Sequence, residues 1–484
     1  MDIRHRQKTK TSQYGVGTSS SDSSQSTEAQ GSKLGIHGTG HHDEKNKSFP
    51  TKSDFSVTRL FSIRLFLALA LYWLLATYVV ERVRVKNAFD ACQWEKWEHW
   101  TGDRASVTPH RIAFIADPQL VDDHTYPKLP RVLNYLIRRM SDNYLYINYK
   151  YLQENLDPHT TIFIGDLFDG GRDWDDEPWL EEFRRFNHIF PENSKRQSYR
   201  GLPGNHDIGF QNVSPAIAKR FATYFGEPNA AYVLGNHTIV QLDTISLSHG
   251  DPQVNRDAKK FLEEAKTSLD PSFPRIVLSH VPFYRDPKVE KCGPGRESKN
   301  PFPLMRGVEY QTVIDFPFAE DILKSLKPVL VFSGDDHDYC DMTHLDYSDN
   351  NQKLAREISC KTISMTNGIK YPAVQLLSLN NPQDVGDTGE KTYETTMCYL
   401  PSPYLGVKVY FASLVATFVV LYFWIMHPRK ITELSNRISK SKTSNGPALF
   451  SLGLSSWEKR LAFAVHSGGI LVLVLFLVSS YNKM

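Results

Sequence analysis

Two kinds of apolar run alternate along the chain. Three runs are long and nearly free of charge: residues 60–80 (LFSIRLFLALALYWLLATYVV), 405–426 and 461–481. A helix needs about 20 such residues to cross a hydrocarbon core, so each predicts a membrane span. The other runs are short, rich in β-branched residues and bounded by loops: RIAFIA (111–116), TTIFI (160–164), HTIVQL (237–242), RIVLS (275–279) and PVLVFS (328–333). Each has the length and composition of a strand buried on both faces. Helical periodicity over 179–190 lies between two of them, and such alternation predicts an α/β domain.

This pattern divides the chain into a tail (1–58), a span (60–80), a soluble domain (83–404), a second span (405–426), a short loop (427–460) and a third span (461–481). The tail is rich in Ser, Thr, Gly, His and Lys and has almost no aliphatic clusters. Such a composition cannot offset chain entropy and predicts disorder. The first span begins at residue 60 and exceeds the ~7–15 apolar residues of a leader-peptide core, which favours an uncleaved signal-anchor. The third is interrupted by His466, Ser467, Gly468 and Gly469.

Short loops rich in Lys and Arg stay on the cytosolic side. The 427–460 loop carries Arg429, Lys430, Arg437, Lys440, Lys442, Lys459 and Arg460 against Glu433 and Glu458. That places the loop and the tail in the cytosol and the 83–404 domain in a lumen or outside, although Arg82, Arg84 and Lys86 argue the other way. A net charge of +2, with no basic face interleaved with aromatics, gives no sign of nucleic-acid binding. All five cysteines lie between Cys92 and Cys398, inside the expected luminal segment, where oxidation is permitted. The odd count leaves at least one thiol unpaired. Cys92 and Cys398 each lie close to a span, and a bridge between them is expected. Asn212-Val-Ser and Asn236-His-Thr are glycosylation sequons in the same segment.

Four of the five short runs end in polar clusters. Asp117-Pro-Gln119 follows the first, Gly165-Asp166-Leu-Phe-Asp169 the second, His280 the fourth, and Gly334-Asp335-Asp336-His337-Asp338 the fifth. A further cluster, Gly204-Asn205-His206-Asp207, follows YRGLP. Side chains at the C-terminal mouths of α/β strands point into one crevice. Singly, each cluster reads as a turn or a core histidine. Together, in this order and spacing, they resemble the calcineurin-like metallophosphoesterase superfamily.

That resemblance implies an α/β fold of four layers, α-β-β-α, here flanked by transmembrane helices, and a site for two divalent metal ions. It implies that Asp166 bridges the two metals. Asp117, Gln119 and His337 would complete the first site, and Asn205, His280 and Asp335 the second. His206 stands where the family places a general acid, and Asp169 where a carboxylate orients that histidine. Two metals about 3.5–4 Å apart neutralise phosphoryl oxygens and supply a nucleophile at neutral pH. Two departures matter: Gln119 replaces a usual His, and Asp335 replaces the first His of Gly-His-x-His. Both exchange nitrogen for oxygen, so Mn²⁺ is expected rather than Zn²⁺. Asp336 and Asp338 are then expected behind the ligands or in solvent.

Outside the metal motifs, ADPQLVDDHTYP (116–127), GDLFDGGRDWDD (165–176), LPGNHDIGF (202–210), CGPGRES (292–298), YQTVI (310–314) and FSGDDHDYC (332–340) resemble a narrower group. This is the membrane-bound eukaryotic branch that removes ethanolamine phosphate from a mannose of glycosylphosphatidylinositol (GPI) anchors. It implies a multi-pass protein of the endoplasmic reticulum membrane with a luminal catalytic domain, GPI-anchored glycoproteins or GPI lipid as partners, and a link to cargo-export receptors. Arg296 is a candidate for holding a phosphate oxygen, and Asp173 and Trp174 for the ammonium head. Two other readings stay open: a protein or nucleotide phosphatase with the same metal core, and a non-catalytic cargo-export adaptor.

Overall fold

A computed structural model of the chain describes residues 60–346, 348–349, 351–382, 391–438 and 450–480. The tail expected to be disordered lies outside the described residues. Strands β1 (His110–Ile115), β2 (Thr160–Phe163), β3 (Gln197–Tyr199), β10 (Ala373–Leu379) and β11 (Tyr393–Tyr399) form one sheet, in the order β11-β10-β1-β2-β3. Strands β4 (Ala230–Leu234), β5 (His237–Gln241), β6 (Arg275–Leu278), β7 (Leu330–Ser333), β8 (Cys340–Asp346) and β9 (Gln352–Ser359) form the other, in the order β4-β5-β6-β7-β9-β8. The first sheet is parallel through β1, β2 and β3, and the second from β5 through β6 and β7 to β9. The five short apolar runs are β1, β2, β5, β6 and β7.

Alternation along each strand builds the layers, because successive side chains point to opposite faces. In β1, Ile112 and Phe114 pack with Ile276, Leu278, Leu330 and Phe332 of the second sheet, and the Phe114 and Phe332 rings lie 4.3 Å apart. Ala113 and Ile115 point the other way, into the core that includes Leu145 and Leu152 near the helix Arg131–Tyr151 and Phe186 of the helix Asp176–Ile189. Val277 and Val331 face outward in the same way, with Val254 and Leu262 of Pro252–Ser268 and Ile322 of Phe316–Leu326 in that core. The result is the four-layer α-β-β-α arrangement.

Among the described residues, three helices are long and apolar enough to cross a membrane: Ile63–Ala91, Pro403–Met426 and Ser456–Ser480. The first does not stop near residue 80 as expected. A π-helical turn, Val79–Val83, carries it on into Arg84–Ala91. The third is unbroken at its polar interruption, because His466 Nδ1 donates to the Ala462 carbonyl (2.8 Å). His466 Nε2 accepts the Ser62 backbone N–H (3.0 Å), which satisfies an otherwise orphaned donor at the start of the first span.

The domain is fastened where the spans meet it. Cys92 is bonded to Cys398, as expected from the sequence. Arg84 donates to the Ser402 carbonyl (3.2 Å) and Tyr144 to the Pro401 carbonyl (2.9 Å). A second disulfide, Cys292–Cys340, closes the loop that carries Arg296, and the remaining cysteine, Cys360, is a buried free thiol.

Candidate metal centre and active site

Loops leaving the C-terminal ends of β1, β2, β6 and β7, together with the loop after β3, bring the expected ligands into one crevice between the two sheets. Carboxylate or imidazole atoms of Asp117, Asp166 and His337 lie within 4.8 Å of one another, and so do those of Asp166, His280 and Asp335. Each group holds three of the four residues expected for one metal, and Asp166 is common to both. Gln119 Nε2 lies 3.2 Å from Asp166 Oδ2, so the carboxamide reaches the same place. Asp117, Gln119, Asp166, Asp335 and His337 all take positive φ (48°, 36°, 50°, 64° and 62°). Such a conformation costs a non-glycine residue about 1–3 kcal/mol and persists only where its surroundings enforce it.

The donor atoms are those a cation would use. Asp117 Oδ2, Asn205 Oδ1 and His280 Nε2 are buried and accept no hydrogen bond, although buried polar atoms are ordinarily paired. Each is freed because the opposite side of its group is held. His280 Nδ1 donates to the Ile164 carbonyl (2.8 Å), which turns Nε2 inward. Asn205 Nδ2 donates to the Glu309 carbonyl (3.1 Å), and Asp117 Oδ1 accepts the Asp335 N–H (3.0 Å). This is the arrangement by which outer groups orient metal ligands.

Electrostatics point the same way. Burial lowers His337 to about 4, which keeps the imidazole neutral and its lone pair available. Burial alone would also lower His280, but the Asp166, Asp117 and Asp335 charges override it and raise its pKa well above the ordinary value. Asp335 is pushed up to about 7 by burial, with His280 opposing and Asp166 and Asp336 adding. Burial pushes Asp117 up as well, so both carboxylates are costly to ionise in the crevice, and a pair of divalent cations would offset that cost. The residues therefore fit two such ions, each facing three oxygen donors and one imidazole nitrogen.

His206 sits beside this cluster. Its backbone N–H donates to Asp166 Oδ1 (2.9 Å). Its Nδ1 donates to the Asp169 backbone carbonyl (2.7 Å) and lies 3.2 Å from the Asp169 carboxylate. The sequence had suggested the carboxylate alone. Burial would lower the His206 pKa, but Asp166 and then Asp169 raise it to about 9. Asp169 is held in turn by Thr125, whose hydroxyl donates to Oδ2 (2.6 Å).

The substrate candidates fare unevenly. Arg296 is engaged within the fold, its guanidinium paired with Asp336, and the two side chains are only 9% and 6% exposed. Asp336 and Asp338 are likewise not solvated. Asp338 accepts the Glu297 and Ser298 N–H groups (2.9 and 2.8 Å) and pairs with buried Lys361 (3.0 Å). Asp173 is exposed, and Trp174 stacks on His124 with its Nε1 donating to Asp122 (3.0 Å).

Several supporting residues carried no signal of their own in the sequence. Asp207 accepts the Leu167, Phe168 and Gly204 N–H groups (2.9, 3.0 and 2.8 Å), tying the second motif to the third. Its place in Gly-Asn-His-Asp was the one available hint. Arg172 braces the Asn205 carbonyl (3.1 Å) and the Glu309 carboxylate (3.2 Å), and neither contact is local in sequence. Gly204 is required by space, since a Cβ there would lie 2.0 Å from Asp166 Oδ1. Gly204→Ala is accordingly expected to displace that carboxylate and lower kcat/KM and metal affinity by about 10–100-fold, the range for disturbed ligand support. Calorimetric metal titration and steady-state rates check this.

The fold and this crevice define a metal-dependent phosphoester hydrolase. A family profile described as calcineurin-like phosphoesterase matches residues 110–339. Cell division control protein 1 of Saccharomyces cerevisiae is 41% identical over 410 residues, covering 82% of this chain and 83% of the yeast protein. Metallophosphoesterase 1 of Danio rerio is 25% identical over 367 residues, covering 70% of this chain and 87% of the fish protein. Among solved structures, a purple acid phosphatase from yellow lupin seeds aligns at 11% identity and a TM-score of 0.32, covering 60% of this chain and 54% of that one. The chain belongs to the calcineurin-like phosphoesterase family, and its three apolar helices mark it as a membrane protein.

Proposed function

We propose that this chain is a dinuclear-metal phosphodiesterase of the endoplasmic reticulum membrane that removes a side-branch ethanolamine phosphate from a mannose of the GPI-anchor glycan, and so supports export of anchored proteins. The observation that carries the reading is the fastening of the metal domain at the ends of its spans, by Cys92–Cys398, Arg84–Ser402 and Tyr144–Pro401. Such a tether keeps the crevice near the bilayer, where an anchor glycan is displayed. The resemblance of residues 116–127 and 165–176 to the anchor-remodelling branch supports the substrate.

In this reading Asp117, Gln119, Asp166 and His337 hold one ion and Asp166, Asn205, His280 and Asp335 the other. The pair supplies charge neutralisation on the phosphoryl oxygens and a nucleophile at neutral pH. The oxygen-rich donor set favours Mn²⁺ over Zn²⁺. Because Nδ1 of His206 is held by Asp169, the proton for the leaving sugar oxygen comes from Nε2, and the Asp169 carboxylate favours the protonated ring. Asp169 and Thr125 hold the ring in position. Exposed Asp173 offers a carboxylate to the ethanolamine ammonium.

The test is mass spectrometry of anchor glycans from cells with and without the chain, and from cells carrying His206→Ala. Retained ethanolamine phosphate on one mannose in both deficient lines is expected; unchanged glycans would refute the substrate. Luminal orientation has its own test. Asn212 is exposed, whereas Asn236 Nδ2 donates to the Asn381 carbonyl (2.7 Å). Asn212→Gln is expected to remove an endoglycosidase-sensitive mobility shift and Asn236→Gln to leave it. A chain with no shift at all would argue against a luminal domain.

A further inference from the structure

The helix Arg131–Tyr151 changes character halfway. Within residues 141–149 every residue but Tyr146 is buried, whereas none of residues 131–140 is. Yet that first stretch reads RVLNYLIRRM, six apolar residues in ten, with Val132 73%, Leu133 43% and Tyr135 55% exposed. Lys128 and Arg131 beside them are exposed too. An uncovered apolar patch with basic neighbours is the composition of a helix lying in a membrane interface.

The segment is fastened to the third span at its end and lies near the second span at its start. At its end, Arg139 donates to the Ser479 carbonyl (3.0 Å) and Asn143 to the Val478 carbonyl, at the close of the third span. At its start, Asn134 donates to the Tyr126 carbonyl (3.0 Å). Tyr126 is close to Tyr404, in the first turn of the second span, and its phenol is pushed up by burial, by Asp169 and by Tyr404. Ten helical residues span only about 15 Å, so the exposed turns cannot travel far from the span ends. Thr125, one residue before Tyr126, is the partner of Asp169.

We propose that residues 131–140 lie in the interfacial layer of the bilayer, on the side of the catalytic domain, and seat the mouth of the metal site on a phospholipid surface. Val132, Leu133 and Tyr135 enter the acyl boundary, and Lys128 and Arg131 meet lipid phosphates. The Thr125–Tyr126 turn then holds Asp169 and His206 at a set height above the membrane. The inference rests on the spans crossing a membrane and not on the identity of the phosphodiester.

The experiment uses the full chain in nanodiscs of phosphatidylcholine with a minor fraction of phosphatidylserine. Val132→Cys and Tyr135→Cys, labelled with an NBD fluorophore, are expected to emit blue-shifted light that shallow spin-labelled lipids quench. A label on Lys260→Cys, on the helix Pro252–Ser268, is expected to do neither. Emission from positions 132 and 135 matching that from 260 would overturn the proposal, whatever the enzyme's substrate. In a second arm, Val132→Asp/Leu133→Asp is expected to hydrolyse soluble bis(4-nitrophenyl) phosphate within about twofold of the parent chain, but a phosphodiester borne on vesicle lipid about tenfold more slowly, because interfacial binding scales with buried apolar area. Equal loss on both substrates would make the helix merely structural and refute the seat.

Discussion

Asp335→Asn is expected to keep the fold and to lower kcat/KM by roughly 10³-fold, the equivalent of about 4 kcal/mol of transition-state stabilisation. The change preserves size and removes one negative charge from a buried group that faces His280 Nε2 at 3.7 Å. A dication held by Asp166, Asn205 and His280 would lose its one unshared carboxylate. Its affinity should fall in the same experiment, read by Mn²⁺ titration calorimetry. Asp335→His restores the residue usual in the family, so it should recover part of the activity and shift preference toward Zn²⁺. Full activity in Asp335→Asn at limiting Mn²⁺ would remove this residue from the ligand set.

One residue further on, the same chemical change is expected to damage a different property. Asp336→Asn leaves the Arg296 guanidinium buried without its counter-charge, and breaking a buried pair by removing one partner costs about 3–5 kcal/mol. For a domain of this size that is a fall in melting temperature of about 5–8 °C. Activity of the surviving folded protein at low temperature should fall far less than in Asp335→Asn. The double variant Arg296→Met/Asp336→Leu, which removes both charges together, should regain most of the stability. A chain whose melting temperature is unmoved by Asp336→Asn would show the pair to be energetically idle. The two aspartates look alike in the sequence, and only the position of Arg296, some forty residues upstream, separates their roles.

That separation marks where reading the chain residue by residue stops working. Five of the parallel strands, β1, β2, β5, β6 and β7, were legible because each is buried on both faces and needs a continuous apolar run. Strands β3, β4, β8 and β11 carry no such run, since they are short or only partly buried. Strand β10 is fully buried but includes Gln375 and Ser378, whose polar side chains break the run. The candidate metal ligands were legible through the order and spacing of the family's motifs at the strand ends, because dication chemistry restricts which residue types can serve. The Arg296–Asp336 pair was not legible, because a buried, paired arginine and a phosphate-binding arginine have the same letters around them.

By itself, then, the sequence determined the α/β class and the three apolar spans, because local composition is sufficient for each; it also suggested the Cys92–Cys398 partnership, and its resemblance to the phosphoesterase family implied the candidate metal ligands that the structure gathers into one crevice. The tertiary structure alone decided which atom of each ligand is free, since that depends on carbonyls of Ile164 and Glu309 brought in from distant segments. It also decided that Asp336 and Asp338 are internal ion-pair partners, and that the polar break at His466 is satisfied by the first span. The apolar start of the helix Arg131–Tyr151 is the plainest case: its letters match a buried core helix, and only the packed molecule leaves them uncovered beside the membrane spans. The physical reason is common to all of these. Burial, pairing and exposure are properties of a residue's neighbours in space, and those neighbours come from far along the chain.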